Sequence, residues 1–318
     1  MSTVVHKTGF PAALGEKLWV LGVYHFNLYL VKGAQATALI EAGVSGIVDS
    51  VIHQLETLGA APDYVVVTHP HTDHLTGLEG LLARYPEARV VAGQGAREFA
   101  RHPKAIRNMV QEDRCISERL SALGLKPARA PVGALFFPED FLAVEMRRTI
   151  DLGGVQLECR TVAGHSPGQI AVHIPELSAL APSDAIGFHF PGRGILPIFL
   201  TDYGGYIKTL DQLAALDAEI VCMAHQGPLT GPAAKQAFKL AREAAEALLA
   251  RIAAFRGDDA QLAESIFQEN YRDEFAIYSE HNIRSVSNLL VRRAREYLQA
   301  CGGRADNGCP GGDLFEGR

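Results

Sequence analysis

Apolar residues in this chain fall into short runs that alternate with longer stretches of mixed character. Short runs rich in valine, isoleucine and leucine, bounded by polar residues, predict buried strands. These strands are expected at residues 18–22, 27–32, 36–41, 64–68, 155–163, 170–174, 178–182 and 220–223. Stretches with apolar residues three or four positions apart predict helices at residues 46–59, 77–85 and 205–216. Strands that alternate with helices in this way predict a layered α/β fold.

Two further regions show helical periodicity without intervening strands. Residues 95–125 carry apolar side chains at near-helical spacing, and we interpret them as a helical insertion that covers one side of the sheet region. From Pro232 the sequence becomes alanine-rich, which predicts an amphipathic helix to residue 255. Two more helices are predicted at 259–269 and 285–300. The chain is thus divided into three parts, namely residues 1–231, a C-terminal helical extension at 232–300, and a glycine-rich tail at 301–318 predicted to be disordered.

One short segment carries most of the chemical information. The sequence His69-Pro70-His71-Thr72-Asp73-His74 places four candidate metal ligands within six residues, directly after a predicted buried strand. Because side chains two apart in an extended segment point the same way, His69 and His71 are expected to face one metal ion. Asp73 and His74 would then turn toward a second ion. The alternative is a histidine-rich loop that binds nothing.

Three more ligand candidates, His165, Asp184 and His225, each follow an apolar run at a predicted strand end. Together the chain offers five imidazoles and two carboxylates, enough for two metal ions that each keep an open position, as catalytic sites do. Two other nucleophiles are alternatives to a metal-activated water. Cys222 lies inside an apolar run, where a buried thiol is the ordinary interpretation. Ser166 lies in a Gly-x-Ser-x-Gly string, but the histidine before it is already a ligand candidate.

The order of these motifs resembles that of the metallo-β-lactamase-fold hydrolases. The resemblance covers roughly residues 18–230 and rests on His-x-His-x-Asp-His, the later Gly-His-Ser, an aspartate after a strand and a late histidine before glycine. It implies an αββα sandwich for residues 1–231. It also implies a ligand assignment in which the first metal is held by His69, His71 and His165, the second by Asp73, His74 and His225, and Asp184 bridges both.

Departures from the family pattern indicate to which branch of the family the chain is most similar. Glu41 and Ala42 stand where most relatives carry Asp-Thr at the end of a strand, which is similar to the quinolone-signal thioesterase branch. Ser183 and Gln169 replace a glycine and a histidine that many relatives carry, so the resemblance does not imply a close assignment to glyoxalase II.

Composition limits the classes of partner that the chain is expected to bind. The chain has 318 residues, 47% of them hydrophobic, which is enough for a substantial core. A net charge of −6, from 30 basic and 36 acidic residues, offers no broad basic face for nucleic acid. The sequence shows no leader pattern and no membrane-spanning run, so we expect a cytoplasmic protein with a small-molecule substrate and no membrane partner. A homodimer is left open.

The predicted chemistry is metal-dependent hydrolysis. A metal-bridging hydroxide would attack a carbonyl, with Asp73 as the catalytic proton acceptor. We expect two divalent ions per chain, zinc first, with iron or manganese as alternatives. The favoured substrate is a thioester of a hydrophobic or aromatic acyl group. A lactonase or ester hydrolase with the same site is one alternative, and a regulatory protein with a vestigial site is the other.

Candidate substrate contacts lie in the aromatic segment 186–206, which follows the bridging aspartate. An apolar segment beside a metal site suits an acyl or aromatic substrate. The alternative is that the segment packs in the core. The candidates are Phe188, His189, Phe199, Tyr203 and Tyr206. The helical extension likewise either packs on the sheets alone or also walls the pocket.

Overall fold

Two β-sheets stack face to face at the centre of the computed structural model, which describes residues 9–125 and 127–302. The first sheet has seven strands whose spatial order follows the chain. They are β1 (Ala12–Ala13), β2 (Leu18–Val23), β3 (Phe26–Lys32), β4 (Thr37–Ile40), β5 (Tyr64–Val67), β6 (Arg89–Gly93) and β7 (Leu142–Val144). The pairs β1–β2, β2–β3 and β3–β4 are antiparallel, whereas β4 to β7 run parallel to one another.

The second sheet has six strands and is supplied by the second half of the chain. Its strands are β8 (Arg147–Asp151), β9 (Gln156–Thr161), β10 (Ile170–Ile174), β11 (Ala179–Ala181), β14 (Ile220–Val221) and β15 (Leu229–Thr230). They lie in the order β15-β14-β11-β10-β9-β8, and only β14 and β11 are parallel. A separate hairpin is formed by β12 (Phe188–Phe190) and β13 (Gly194–Leu196).

Helices cover the outer faces of both sheets. Those of the first half are α1 (Val48–Thr57), α2 (Thr72–Leu75), α3 (Leu78–Arg84), α4 (Ala96–Ala100) and α5 (Pro103–Ala122). Those of the second half are α6 (Tyr203–Ala214), α7 (Pro232–Ala254), α8 (Asp259–Asn270) and α9 (Glu280–Ala300). Short 3₁₀ helices lie at Ser45–Ile47, Pro175–Leu177, Ser183–Ile186 and Asp273–Ile277. Within the described ranges, no helix combines the length and the apolar character that crossing a bilayer requires.

The alternation of side chains along the strands explains the layering. On β3, Tyr29 and Val31 are buried between the two sheets, whereas Leu28 and Leu30 belong to the core beneath the helices. Successive residues of a strand point to opposite faces, so a strand that is apolar at every position must be covered on both sides. The predicted αββα sandwich with a C-terminal helical region is therefore confirmed.

The prediction missed several elements, each for a local reason. β6 was missed, β7 has only three residues, and β8 has the sequence Arg-Arg-Thr-Ile-Asp with a single large apolar residue. The hairpin β12–β13 was expected to be loop. Helix α9 begins at Glu280 rather than at 285, because the Ser279 side chain caps it by accepting from the backbone N–H of Asn282. The predicted tail falls outside the described residues from 303 onward, and the domain boundary at 231–232, where α7 starts, stays a prediction.

Helix α5, within the predicted insertion, connects the sheets to the C-terminal helices through two adjacent carboxylates. Asp113 is fully buried and accepts hydrogen bonds from Ser45, Thr76 and the backbone N–H of Val132. Glu112 accepts from the backbone N–H and the hydroxyl of Ser279, at 2.8 and 2.5 Å. Successive helix residues point about 100° apart, so one helix binds two parts of the chain at once.

We expect Asp113→Ala to destabilise the protein strongly. It leaves several buried donors without an acceptor, which should lower the free energy of unfolding by about 3 kcal/mol or more. Urea unfolding followed by circular dichroism measures the change. The control is Glu118→Ala, an exposed carboxylate on the same helix, which should change the unfolding free energy by less than about 0.5 kcal/mol. Equal effects of the two substitutions would contradict this account of Asp113.

Candidate metal centre

The six-residue ligand motif leaves the carboxyl end of a central parallel strand. β5 ends at Val67, the chain bends through residues 69–71, and α2 begins at Thr72 with His71 as its extended N-cap residue. The motif is therefore half loop, as predicted, and half helical turn, which was not predicted. The turn of helix rotates Asp73 and His74 away from the side on which His69 and His71 lie. One segment thus supplies two separate groups of ligands.

Three imidazole nitrogens form the first group, and they lie at the corners of a nearly equilateral triangle. His69 Nε2 is 3.1 Å from His71 Nδ1 and 3.2 Å from His165 Nε2, and the last two atoms are 3.1 Å apart. A tetrahedral zinc ion with bonds of about 2.0–2.1 Å separates its nitrogen ligands by about 3.3 Å. The three nitrogens are therefore spaced as ligands of one ion would be.

The second group consists of Asp73, His74 and His225. Asp73 Oδ2 lies 3.5 Å from His74 Nε2 and 3.6 Å from His225 Nε2. Asp184 lies between the two groups. Its Oδ2 is 3.5 Å from His165 Nε2 and 3.6 Å from His74 Nε2, and its Oδ1 is 3.3 Å from His225 Nε2. The structure thus brings together all seven ligand candidates, divided as the family resemblance implies.

Hydrogen bonds on the far side of the rings fix which nitrogen faces the site. His165 donates from Nδ1 to the carbonyl of Ile198 at 2.8 Å, and His225 donates from Nδ1 to the carbonyl of His25 at 2.8 Å. The opposite nitrogen of each ring therefore faces the site, where its lone pair is free in the neutral ring. The Nε2 atoms of His74 and His225 are buried and lack a hydrogen-bond partner within the described residues. A metal ion would satisfy such atoms, so the donor set fits one.

Glu41 is a site residue that sequence reasoning noted only as a departure from the family pattern. It is buried at the end of β4 with a left-handed backbone, at φ 77°. Its carboxylate lies 3.0 Å from His74 Nδ1 and accepts from the Thr68 hydroxyl at 2.8 Å. Because β4 and β5 are parallel neighbours, an acidic residue after β4 had to lie beside the motif after β5. That strand pairing was the signal that could have identified it.

The two groups differ in electrostatic character. Burial, together with the neighbouring imidazoles, lowers the pKa values of His69 and His165 and brings that of His71 to about 3. Burial also acts to lower the pKa of His74, but the carboxylates of Glu41, Asp73 and Asp184 outweigh it and raise that pKa well above its ordinary value. The first group is therefore neutral, as a metal requires, whereas protons and a metal compete for the second.

A cavity of about 260 Å³ opens onto both groups. His71 and Asp73, the two ligand candidates that keep partial exposure, both line it. Other walls come from α4, α5, β12, the segment with Ile198 and Leu200, the 3₁₀ helix Asp273–Ile277 and α9. The predicted insertion and the C-terminal extension therefore both contribute walls to this cavity.

The five substrate candidates are divided by the structure. Phe188 lines the cavity and stacks on His225, with ring centroids 5.0 Å apart. Phe199, Tyr203 and Tyr206 are buried and pack against one another, and His189 lies in the hairpin β12–β13. None of these four belongs to the cavity wall formed by the described residues. Aromatic residues of a core and of a binding wall look alike in sequence, so the segment alone could not separate them.

The alternative nucleophiles are poorly placed. Cys222 is buried between the two sheets, and burial raises the pKa of its thiol. A thiol must ionise to act as a nucleophile, so this position disfavours it. Ser166 is buried as well and donates to the carbonyl of Pro167.

Comparison with known proteins identifies the family to which this chain is similar. Residues 21–225 match the metallo-beta-lactamase superfamily. A hydroxyacylglutathione hydrolase of Ruegeria pomeroyi is 29% identical over 201 residues, which cover 62% of this chain and 61% of that protein. A metallo-beta-lactamase fold-containing protein of Sulfurisphaera tokodaii is 25% identical over 204 residues, covering 63% of this chain and 72% of that protein. The crystal structure of a metallo-beta-lactamase family protein from Thermus thermophilus superposes with a TM-score of 0.64 at 22% identity, covering 91% of this chain and 95% of that one. At that identity the likeness shows the fold alone.

We expect Glu41→Gln to weaken metal binding by about 10–100-fold, the usual effect of losing a partner that orients a ligand histidine. The amide keeps the shape of the side chain but not the charge that holds the His74 proton on Nδ1. Competition with a chelator measures the affinity. Glu79→Gln, an exposed change on α3, is the control and should bind metal as the unaltered protein does. Wild-type affinity in the Glu41 variant would show that this carboxylate does not orient His74.

Proposed function

Since the chain belongs to the metallo-beta-lactamase superfamily, we propose that it is a hydrolase that binds two divalent metal ions and cleaves a thioester of a hydrophobic or aromatic acyl group. One observation carries the proposal. Two ligand groups, joined by Asp184, lie at the base of a cavity whose walls are largely apolar.

In this proposal His69, His71 and His165 hold the first ion, whereas Asp73, His74 and His225 hold the second. Asp184 lies within 3.6 Å of nitrogens in both groups, which suits a bridging carboxylate. Bound divalent ions would supply a water whose pKa falls toward about 7 and would polarise the substrate carbonyl. Mixed imidazole and carboxylate ligation favours zinc and also accepts iron or manganese.

Asp73 is the residue to which we assign proton transfer. Burial acts to raise the pKa of its carboxyl, but the nearby His74 and His225 outweigh burial and lower it. The carboxylate is thus ionised at neutral pH, the form that a proton acceptor must have, although the same histidines make it a weaker base. It also lines the cavity, so a substrate there would lie beside it.

The cavity wall supports an uncharged, apolar acyl group. Phe99 and Met109 line one side, and Ile283, Val286 and Leu289 of α9 line another. Polar side chains of Asn108, Gln111, His281, Asn282 and Ser285 also line the cavity. Among the described residues that form the wall, none is lysine or arginine, so an anionic group on the acyl part would have no such partner there. Apolar walls with a few polar groups are typical of sites for small hydrophobic ligands.

The choice of a thioester substrate is supported by similarity to other proteins rather than by the residues of the cavity wall. The Ruegeria pomeroyi relative is a hydroxyacylglutathione hydrolase, which acts on an acyl group carried by a thiol. The residues Glu41-Ala42 also resemble the quinolone-signal thioesterase branch. A lactone or oxygen ester would use the same ligands and the same Asp73, and an assay distinguishes them.

We expect metal-loaded protein to contain two ions per chain by elemental analysis and to cleave thioesters faster than lactones, oxygen esters or phosphodiesters.

Asp73→Asn should lower kcat for the best substrate by about 10²-fold or more, because it removes the proton acceptor and a ligand charge. Asp140→Asn, an exposed change, and Cys222→Ser should leave kcat within about twofold. A single ion at saturation, or loss of activity in the folded Cys222 variant, would contradict the proposed mechanism.

We also expect the cavity wall to discriminate acyl size. Val286→Phe narrows the cavity, so KM for a bulky acyl thioester should rise by about tenfold relative to KM for an acetyl thioester. The control is Leu240→Phe, which adds the same ring on the exposed face of α7. Equal changes for both substrates would place the acyl group outside this cavity.

A further inference from the structure

The active-site aspartate receives a hydrogen bond from a residue far along the chain. The hydroxyl of Tyr278 donates to Asp73 Oδ2 at 2.6 Å, a contact between residues 205 positions apart. Tyr278 lies between the 3₁₀ helix Asp273–Ile277 and α9, beyond residue 225, where the family match ends. The bond therefore joins a helical region outside the family match to the metal centre.

Contacts on both sides of Tyr278 hold it in place. Its carbonyl accepts from the Tyr271 hydroxyl at 3.0 Å. The next residue, Ser279, is fixed by two hydrogen bonds to the Glu112 carboxylate on α5. The ring itself is 6% exposed and packs edge-on against Phe26 and Phe275. Tyr278 lines the cavity, and these contacts make its phenol a fixed donor there rather than a mobile side chain.

The oxygen that receives the phenol is the same oxygen that belongs to the second ligand group. Asp73 Oδ2 is 3.5 Å from His74 Nε2 and 3.6 Å from His225 Nε2. A carboxylate can rotate, which exchanges the positions of its two oxygens. A donor fixed on one oxygen opposes that rotation, so the two oxygens keep separate positions. With Oδ2 held toward the second group, Oδ1 is left to accept a proton.

We propose that Tyr278 is a positioning residue for Asp73, through which the C-terminal helical region completes the second ligand group. The proposal rests on the proposed function for the second bound ion and for its catalytic consequence. Outer partners of ligand side chains commonly change metal affinity or activity by about 10–100-fold when removed. The effect on metal affinity should be confined to the second ion, since Tyr278 does not contact the first group.

Tyr278→Phe tests this, because it removes the hydroxyl and keeps the ring. Zinc is loaded into the full chain, and the affinity of each ion is measured by competition with a chelator, with Co²⁺ spectra as a second reading of the ligand geometry. We expect the second ion to bind about tenfold or more weakly and the first to stay within about twofold. The matched control is Tyr85→Phe, which removes another buried hydroxyl, one outside the cavity wall. It should change neither affinity.

Kinetics supply a separate reading at saturating metal. For the best thioester, kcat should fall by about tenfold while KM stays within about twofold, because the phenol acts through Asp73 and not on the substrate. Selective loss of the second ion in a protein that cleaves no substrate of the panel would support the positioning role while refuting the proposed function.

Three results would overturn the positioning role. The first is wild-type affinity for both ions together with an unchanged kcat. The second is equally weaker binding of both ions with a lower unfolding midpoint, which would show that Tyr278 only packs in the core. The third is a raised KM with unchanged kcat and metal affinities, which would make Tyr278 a substrate contact.

Discussion

The burial of several carboxylates and imidazoles in one small space is the constraint on which the rest of this structure depends. Asp184 and Glu41 are buried, and the Asp73 side chain is only 10% exposed. Isolated charges in such a place are strongly unfavourable unless partners lie at short range. The fold supplies the partners by ending strands from both sheets at a common edge. Parallel β11 and β14, for example, place Asp184 and His225 side by side.

The same constraint explains why the site is supported from outside the sandwich. The short helix α2 carries Asp73 and His74, and its C-cap residue Thr76 donates to the buried Asp113 of α5. The neighbouring Glu112 binds the start of α9 through Ser279. One helix therefore couples the ligand turn to the C-terminal helices. Rigid support of this kind is needed where ligand atoms must stay within tenths of an ångström of a working geometry.

The sequence predicted the parts of the site that are encoded locally. The ligand motif and the three later ligand candidates follow apolar runs, so both their chemistry and their position were visible. Glu41 and Tyr278 were not recognised, because their contacts depend on strand pairing and on packing between distant segments. The aromatic segment 186–206 shows the opposite difficulty, since Phe188 at the cavity and Phe199 in the core have the same apolar character. Short strands such as β8 were missed because they carry too few apolar residues to show a period.

The two ligand groups also differ in what they need from the chain. The first group consists of imidazoles that burial keeps neutral, so geometry alone prepares it for an ion. In the second group, carboxylates raise the pKa values of His74 and His225, so a bound ion must displace protons that the same carboxylates favour. Affinity there depends on how firmly Asp73 and His74 are oriented. The hydrogen bond from Tyr278 to Asp73 and the ion pair between Glu41 and His74 act on those two residues. Support from outside the motif is thus concentrated on the group whose ligands would otherwise be least ready to bind.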